Sequence, residues 1–238
     1  MPTEEIFRED AYLRSCTAHV RQFFDGVVEL DRTVFYPMGG GQPGDRGTLE
    51  RENGVTLEIA DTRKGALPEQ ILHVLTEREV IPAADELVTL QLDWDRRYRL
   101  MRMHSCLHLL CKAVDGVVTG GQISDGKGRL DFDIPEPTLD KDAITEQLMN
   151  WIEADKAIRH RWITAAELDA RPELVRTMSV RPPSGSGHVR LVEIDGIDLQ
   201  ACGGTHVRST AEIGKVRVAK IEKKGRQNRR VSVVLDDA

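Results

Sequence analysis

The spacing of apolar residues changes at Trp94, and this change limits the folds that the chain can adopt. Before Trp94, apolar residues occur in short runs between turn residues, and no amphipathic segment is long enough for a substantial helix. After Trp94, apolar residues recur at steps of three and four, which predicts a helix that ends before Asp115. The sequence therefore predicts a small N-terminal β-barrel over residues 1–92 and a second domain over residues 93–238.

The first domain is predicted to consist of short strands joined by tight turns. Asn53-Gly54 is the strongest hairpin signal, because an Asn-Gly pair readily adopts the positive φ angles of a two-residue turn. The predicted strands lie at residues 17–23, 27–30, 33–36, 55–60, 71–75 and 87–92.

The second domain is predicted to place long helices against an antiparallel sheet, an α+β arrangement. Asp140 is a candidate N-cap of a second helix, whose apolar face continues to Ile158. Residues 181–187 are rich in Pro, Ser and Gly, which predicts a mobile loop. Further strands are predicted at residues 189–194, 214–221 and 229–235.

The composition excludes several classes of protein. The 238 residues are 40% hydrophobic and 30% charged, as in soluble globular proteins. No apolar run approaches the roughly 20 residues that span a bilayer, and the first residues are too acidic for a signal peptide. Four cysteines are too few for a disulfide scaffold. We therefore expect a cytoplasmic protein without a membrane partner, whose thiols are free to react or to bind metal.

Basic residues are concentrated near the C-terminus. Residues 1–92 contain 17 acidic and 9 basic residues, whereas residues 93–238 contain 22 acidic and 24 basic residues. Residues 214–230 contain eight basic residues and one acidic residue, Glu222. Such a segment can attract a polyanion such as RNA, although an ordinary solvated strand face has the same composition. The basic residues are Lys215, Arg217, Lys220, Lys223, Lys224, Arg226, Arg229 and Arg230.

Four arginines shortly before His104 allow two interpretations. They could extend the basic surface, or they could pair with the neighbouring acids Asp93 and Asp95. These arginines are Arg96, Arg97, Arg99 and Arg102.

His104 and His108 lie four residues apart in the first predicted helix, so their imidazoles leave the same helix face about one turn apart. Such a pair can bind one metal ion, but imidazoles on a half-buried face also form ordinary hydrogen bonds to the backbone. Ser105 follows His104, so the zinc-protease motif His-Glu-x-x-His, with its built-in base, is absent.

Cys202 and His206 form a second pair with the same spacing, across two glycines that permit a tight turn. The two pairs together supply three nitrogen donors and one sulfur donor, a set suited to tetrahedral zinc. The alternative, packing for Cys202 and surface capping for His206, does not explain the two spaced pairs. Cys106 and Cys111 have largely apolar neighbours and are interpreted as packing residues.

Several motifs, in this order and spacing, resemble the editing domain of alanyl-tRNA synthetase. They resemble still more closely the free-standing alanyl-tRNA editing proteins of the AlaX type, in their medium-length form with an N-terminal barrel. The resemblance covers nearly the whole chain and implies the domain type shared by threonyl- and alanyl-tRNA synthetases. The motifs are PMGGGQPGDRG at residues 37–47, HSCLH at 104–108, Gln122 followed by RLDFD at 129–133, QACGGTH at 200–206 and TAEIG at 210–214.

The resemblance implies a trans-editing hydrolase. The expected reaction is zinc-dependent hydrolysis of the ester that joins serine, or glycine, to the 3′ adenosine of tRNA(Ala). A synthetase pocket that admits alanine cannot strongly exclude glycine or a near-isostere with one more hydroxyl, so a second, hydrolytic site removes the errors. The implied partner is tRNA(Ala) rather than DNA, and the implied cofactor is one zinc ion per chain.

The resemblance also implies roles for individual residues. The expected metal ligands are His104, His108, Cys202 and His206. His104 and His108 are expected in the catalytic site together with Gln122, which would hold the aminoacyl-adenosine or the water.

The role of the metal is open, because four protein ligands are typical of a closed structural site. Zinc could expand to five-coordinate geometry, one ligand could stay unbound, or the metal could only orient the substrate while another group positions water.

Two segments are candidates for contact with tRNA. In the glycine-rich segment, backbone N–H groups of Gly39, Gly40, Gly41 and Gln42 could approach the acceptor end, although such a composition also describes a simple loop. Gly40-Gly41-Gln42 matches the tripeptide of peptide release factors, which we interpret as a coincidence. The other candidates are Arg217, Lys220, Lys223, Lys224, Arg226, Arg229 and Arg230.

Two further function classes fit parts of the pattern. One is a non-catalytic RNA-binding module with a structural zinc, and the other is a zinc hydrolase of small esters without an RNA partner. The sequence leaves open the choice between serine and glycine and the choice between a monomer and a weak dimer.

Overall fold

The computed structural model describes residues 2–67, 69–77, 79–80, 82–134, 139–175 and 187–236. It divides into two compact units, Met1–Tyr98 and Arg99–Ala238. The division falls within a helix, whereas the predicted boundary, between residues 92 and 93, precedes that helix. No helix in the described ranges is long and apolar enough to cross a membrane.

The first unit is built around a closed barrel with the strand order β2-β3-β7-β6-β5-β8, in which neighbouring strands are antiparallel. A short parallel pair, β1 with β4, lies outside the barrel. The strands are β1 (Glu4–Glu5), β2 (Ser15–Phe24), β3 (Val27–Leu30), β4 (Arg32–Thr33), β5 (Gly47–Arg51), β6 (Thr56–Lys64), β7 (Ile71–Leu75) and β8 (Leu87–Leu92).

Apolar residues of the barrel strands face its core and alternate with exposed residues. Along β8, the side chains of Val88, Leu90 and Leu92 are buried and the residues between them are exposed. This period of two matches the pleat of a strand that packs one face on a core. Val20 and Leu49 on neighbouring strands are also fully buried in the same cluster. The predicted N-terminal barrel is therefore confirmed.

One predicted strand of the barrel is wrong. Residues 33–36 do not form a strand beyond Thr33, because their backbone groups bond to side chains and to a loop. The Tyr36 N–H donates to Asp45 Oδ2 at 2.6 Å, and the Val34 carbonyl accepts from Arg97 at 2.7 Å. The barrel strand that sequence patterning missed is β5.

Arg97 is fully buried in the first unit. It is ion-paired with Asp45, and it also donates to the carbonyls of Ala11 and Val34. A buried guanidinium with these partners stabilises the loop segments around it, because each of its donors would otherwise lack hydrogen bonds. Arg97 is therefore not part of a basic surface, and its partner is Asp45 rather than Asp93 or Asp95.

The second unit contains two antiparallel sheets with the strand orders β14-β15-β10-β9 and β11-β12-β13. Helix α1 (Trp94–Ala113) includes the division between the units, and the α+β class is confirmed. The remaining elements are β9 (Val117–Ser124), β10 (Lys127–Asp133), α2 (Lys141–Glu153), β11 (Ile158–Thr164), α3 (Ala165–Asp169), β12 (His188–Ile194), β13 (Asp198–Ala201), β14 (Val216–Lys223) and β15 (Asn228–Leu235).

Helix α2 begins as predicted and ends earlier. The Asp140 side chain accepts hydrogen bonds from two backbone N–H groups of the first turn, as an N-cap does. The helix ends at Glu153, because Asp155 adopts a positive φ of 47°. Ile158, predicted in the helix, lies in β11, where its N–H donates to the Arg208 carbonyl at 2.7 Å. The predicted mobile loop at residues 181–187 lies outside the described residues, apart from Gly187.

Helix α1 is buried on every side over residues 103–111. The sequence pattern indicated an apolar face, but Leu109 and Ser105 are also fully buried. A helix that is buried all round carries any polar side chain into the interior, where that side chain needs a partner.

Candidate metal centre

Four side chains that offer metal-ligand atoms lie together in the second unit: His104, His108, Cys202 and His206. One ligand atom from each lies within 4.8 Å of the others. The two helical histidines have ring centroids 5.3 Å apart, and the His104 and His206 rings are 4.3 Å apart. The structure thus brings together both pairs that the sequence singled out.

The loop after β13 is held in place by a buried arginine on β12. The Arg190 carbonyl accepts from the Cys202 N–H at 3.0 Å. The Arg190 guanidinium donates to the Gly204 carbonyl at 2.9 Å and to the Cys202 carbonyl at 3.2 Å. These bonds fix the turn that carries Cys202 and His206. Sequence reasoning missed Arg190, which is one of two charged residues, with Glu193, in a predicted strand whose other residues are apolar.

Two sulfur–nitrogen distances in the group match those of a tetrahedral zinc site. Cys202 Sγ lies 3.5 Å from His104 Nε2 and 3.3 Å from His206 Nε2. With Zn–N of about 2.0 Å and Zn–S of about 2.3 Å, the nitrogen and sulfur ligands of a tetrahedral site are about 3.5 Å apart. The donor set of three imidazoles and one thiolate also suits zinc.

Charges within the group favour a thiolate. Burial alone would raise the pKa of Cys202, but the positive charges of His104, His206 and His108 lower it well below its usual value. Burial alone would lower the pKa of His108, but the Cys202 thiolate and Asp198 raise it to about 9. Burial and the charge of His104 lower the pKa of His206 well below its usual value. These charges favour the thiolate form of Cys202, which is the form that binds a metal.

In two histidines of the group, Nδ1 lies close to a polar side chain. The Ser105 hydroxyl lies 3.2 Å from His206 Nδ1 and accepts from the Val207 N–H at 3.3 Å. His108 Nδ1 lies 3.6 Å from the carboxylate of Asp198. These contacts were not found by sequence reasoning, because the residues involved are far apart in the chain.

Gln122 lies on β9, on an exposed part of the strand, and not in a loop. Its Oε1 accepts hydrogen bonds from Arg129 on β10 at 3.0 and 3.2 Å. The two residues are direct cross-strand partners, and Arg129 also pairs with Asp131. The sheet therefore orients the Gln122 amide.

The glycine-rich segment forms a tight turn in the first unit. The backbones of Gly39 and Gln42 bond to each other in both directions, at 2.9 and 3.1 Å. Gly40 and Gly41 are exposed and have positive φ angles of 57° and 83°, which glycine adopts without strain. Gln42 is fully buried and its N–H donates to the Gly39 carbonyl, so of this turn only Gly40 and Gly41 lie exposed.

Four of the eight basic side chains of residues 214–230 have acidic partners. Arg217 pairs with Asp236, Arg230 pairs with Asp131, and Lys220 and Lys224 both pair with Glu222. Arg229 is buried and donates to backbone carbonyls. Lys223 and Arg226 are exposed and form no ion pair with the described residues. The free positive charge of this segment is therefore smaller than its composition suggests.

The remaining arginines of α1 also have defined partners. Arg96 donates to the Gly44 carbonyl at 2.9 Å, and Arg99 pairs with Asp125 at 2.5 Å. Arg102 donates to the Ile213 carbonyl at 2.9 Å.

Family profiles place the chain among proteins that share domains with aminoacyl-tRNA synthetases. A profile of the threonyl and alanyl tRNA synthetase second additional domain matches residues 189–232, which include Cys202 and His206. A profile of class II (A) tRNA synthetases matches residues 6–96, which include the barrel.

Individual relatives define the family more closely. The chain is 35% identical to the alanyl-tRNA editing protein AlaX-M of Methanosarcina acetivorans, over 99% of this chain and 100% of the relative. It is 33% identical to the AlaX-M protein of Saccharolobus solfataricus, over 96% of this chain and 97% of the relative. It is also 35% identical to the alanine–tRNA ligase of Sulfurisphaera tokodaii, over 93% of this chain but only 25% of that relative. The chain belongs to the AlaX-M family of alanyl-tRNA editing proteins.

Proposed function

We propose that the protein deacylates mischarged tRNA(Ala) in trans, with Ser-tRNA(Ala) as the main substrate and Gly-tRNA(Ala) as a second one. The observation that carries the proposal is the convergence of His104, His108, Cys202 and His206 in a chain of this family. The bond that breaks is the ester between the amino acid and the 3′ adenosine, and a water molecule supplies the hydroxyl of the released acid.

The four ligand residues would hold one zinc ion per chain. When bound, zinc supplies Lewis-acid chemistry that polarises a carbonyl oxygen and lowers the pKa of water. His104 and His108 would then contribute to catalysis as ligands, and not as free bases. A set of four protein ligands leaves the positioning of the substrate to neighbouring groups.

Gln122 would be one of these neighbouring groups. Its Oε1 is occupied by Arg129, so its Nε2 group is the part that can donate a hydrogen bond to the substrate or to water. In this arrangement Arg129 is a positioning residue for Gln122. Sheet pairing between β9 and β10 would hold the amide in one orientation, which lowers the entropy lost on binding.

Contacts with tRNA(Ala) would come from two segments. The backbone N–H groups of the exposed turn at Gly40 and Gly41 can approach a phosphate or the acceptor terminus closely. Lys223 and Arg226 are exposed cations that can contact phosphates. Arg217, Lys220, Lys224, Arg229 and Arg230 would contribute less, because each already has a partner. The expected setting is the cytoplasm, and the expected state is a monomer or a weak dimer.

The test is hydrolysis of purified Ser-tRNA(Ala), Gly-tRNA(Ala) and Ala-tRNA(Ala) by the wild type and by His104→Ala, with zinc content measured in both. We expect rapid loss of serine, slow loss of alanine, and an inactive variant with little zinc. Gln122→Ala should keep its zinc and lose hydrolysis by about 10-fold or more, on the scale of a lost positioning contact.

One alternative function is supported by a specific observation, the closed set of four ligands that is typical of structural zinc. In that case the zinc-loaded, folded wild type would bind tRNA and hydrolyse neither the seryl nor the glycyl ester. That result would contradict the proposed hydrolase and support a non-catalytic RNA-binding module.

A further inference from the structure

Asp198 carries a buried carboxylate next to the metal centre. It lies at the start of β13, is 6% exposed, and places Oδ2 3.6 Å from His108 Nδ1. This distance is that of an ion pair and is longer than a hydrogen bond. Burial of a charged carboxylate is costly unless it has a partner, so this position requires one.

Gln200 contacts the same oxygen atom of this carboxylate. Its Nε2 donates to Asp198 Oδ2 at 2.6 Å, and its side chain is buried. The two residues lie two positions apart on β13 and therefore point to the same face of the strand. Backbone pairing with β12 fixes both positions, since Asp198 faces Ile194 and Gln200 faces Val192. The carboxylate is thus attached to a sheet and not to a mobile loop.

We propose that Asp198 is a positioning residue for His108, and that Gln200 holds Asp198 in place. The carboxylate keeps a proton on His108 Nδ1 and sets the orientation of the ring, which leaves Nε2 as the nitrogen that faces the metal. Histidines that bind metals commonly donate their other N–H to a carboxylate, and loss of that partner weakens metal binding by about 10- to 100-fold. The inference rests on the metal site of the proposed function and does not depend on ester hydrolysis.

The experiment measures zinc dissociation constants by chelator competition for the wild type, Asp198→Ala, Asp198→Asn and Gln200→Leu. Asp195→Asn is the matched control, because Asp195 lies three residues earlier, in the connection between β12 and β13, and is exposed. We expect zinc affinity to fall by about 10- to 100-fold in Asp198→Ala. Asp198→Asn should lose less, because its carbonyl oxygen can still accept from Nδ1–H. Gln200→Leu should lose least, and Asp195→Asn should match the wild type.

A second readout separates positioning from a general effect on stability. In the zinc-loaded, ¹⁵N-labelled wild type, the Nδ1–H proton of His108 should resonate far downfield, because the Asp198 carboxylate accepts a hydrogen bond from it. Asp198→Ala should move this resonance upfield, while the control stays unchanged. If Asp198→Ala does not fold, Asp198→Asn and Gln200→Leu decide the question with the same two readouts.

Three outcomes are distinguishable. Unchanged zinc affinity and an unchanged Nδ1–H resonance of His108 in the folded Asp198 variants would overturn the inference. A wild type that binds no zinc would overturn it as well. Zinc affinity that depends on Asp198, in a wild type that hydrolyses no aminoacyl-tRNA, would support the inference and contradict only the proposed function.

Discussion

The Sγ atom of Cys202 lies 3.5 Å from Nε2 of His104, a residue 98 positions earlier in the chain. His104 is supplied by a helix that is buried on all sides at this point, and Cys202 by a turn that Arg190 fixes. The two ligand atoms therefore lie at about the separation of the sulfur and nitrogen ligands in a tetrahedral zinc site, which is about 3.5 Å. A site prepared in this way loses little conformational entropy on metal binding.

The first prediction concerns the two kinds of cysteine in the second unit. Cys202→Ser should weaken zinc binding by about 100-fold or more, because it replaces a thiolate by a poorly ligating hydroxyl. Cys106→Ala should keep one zinc per chain. Burial raises the pKa of Cys106 to about 12, so this thiol stays protonated and packs as an apolar group. Zinc content after chelator challenge measures both variants, and equal zinc loss in the two would contradict the assignment of Cys202 as a ligand.

The second prediction concerns the exposed charges Lys223 and Arg226. The double variant Lys223→Ala/Arg226→Ala should weaken tRNA binding and lower the slope of log affinity against log salt by about one for each lost phosphate contact. Lys112→Ala/Lys141→Ala removes two exposed positive charges elsewhere in the same unit and serves as the control. Filter binding at several salt concentrations gives the slopes. Equal slopes for the wild type and both double variants would rule out this segment as a phosphate contact.

The third prediction concerns the buried ion pair of the first unit. Asp45→Ala should destabilise the barrel by about 3–5 kcal/mol, because it leaves the Arg97 guanidinium buried without its carboxylate. The double variant Asp45→Ala/Arg97→Met should be less destabilised than the sum of the single variants. Arg63→Met breaks an exposed pair with Asp61 and should cost at most about 1 kcal/mol. Urea unfolding measures the free energy of unfolding of these three variants and of Arg97→Met. If the loss in the double variant equals the sum of the losses in Asp45→Ala and Arg97→Met, the two side chains are not coupled.

The fourth prediction is a loss of barrel stability in mild acid, caused by His73. This side chain is fully buried between the Thr33 hydroxyl and the Val28 carbonyl, and burial lowers its pKa from 6.5 to about 4. The unfolded chain therefore binds a proton at higher pH than the folded chain does. Stability from neutral His73 is fully present above about pH 6.5 and is lost as the pH falls towards 4, by on the order of 3 kcal/mol.

Urea unfolding between pH 4.5 and 7 tests this prediction. Unfolding of the first unit is monitored by the fluorescence of Trp94 in the variant Trp151→Phe/Trp162→Phe. His73→Gln should remove this part of the pH dependence even if it lowers stability overall. His19→Gln changes an exposed histidine of the same barrel and should leave the pH dependence in place. A pH dependence that persists unchanged in His73→Gln would contradict the role of His73.

The sequence by itself determined the parts of this protein that depend on local spacing. Alternation along β8 predicted a barrel strand, the Asp140 N-cap predicted the start of α2, and two four-residue spacings predicted two pairs of metal-ligand residues. Each of these signals arises within a few residues of the chain, where the helical and strand periods dictate which side chains share a face. Family resemblance could then be recognised from the order of the motifs.

Only the tertiary structure decided which residues support the metal centre and which charges are free. Arg190, Ser105 and Asp198 reach the ligands or their turn through folding, and their local sequence does not show which partner each one contacts. In the same way, Arg97 and Gln42 are of residue types that usually lie on the surface, but both are fully buried. Burial and partner choice depend on contacts between segments that are distant in sequence, and local periodicity contains no information about those contacts.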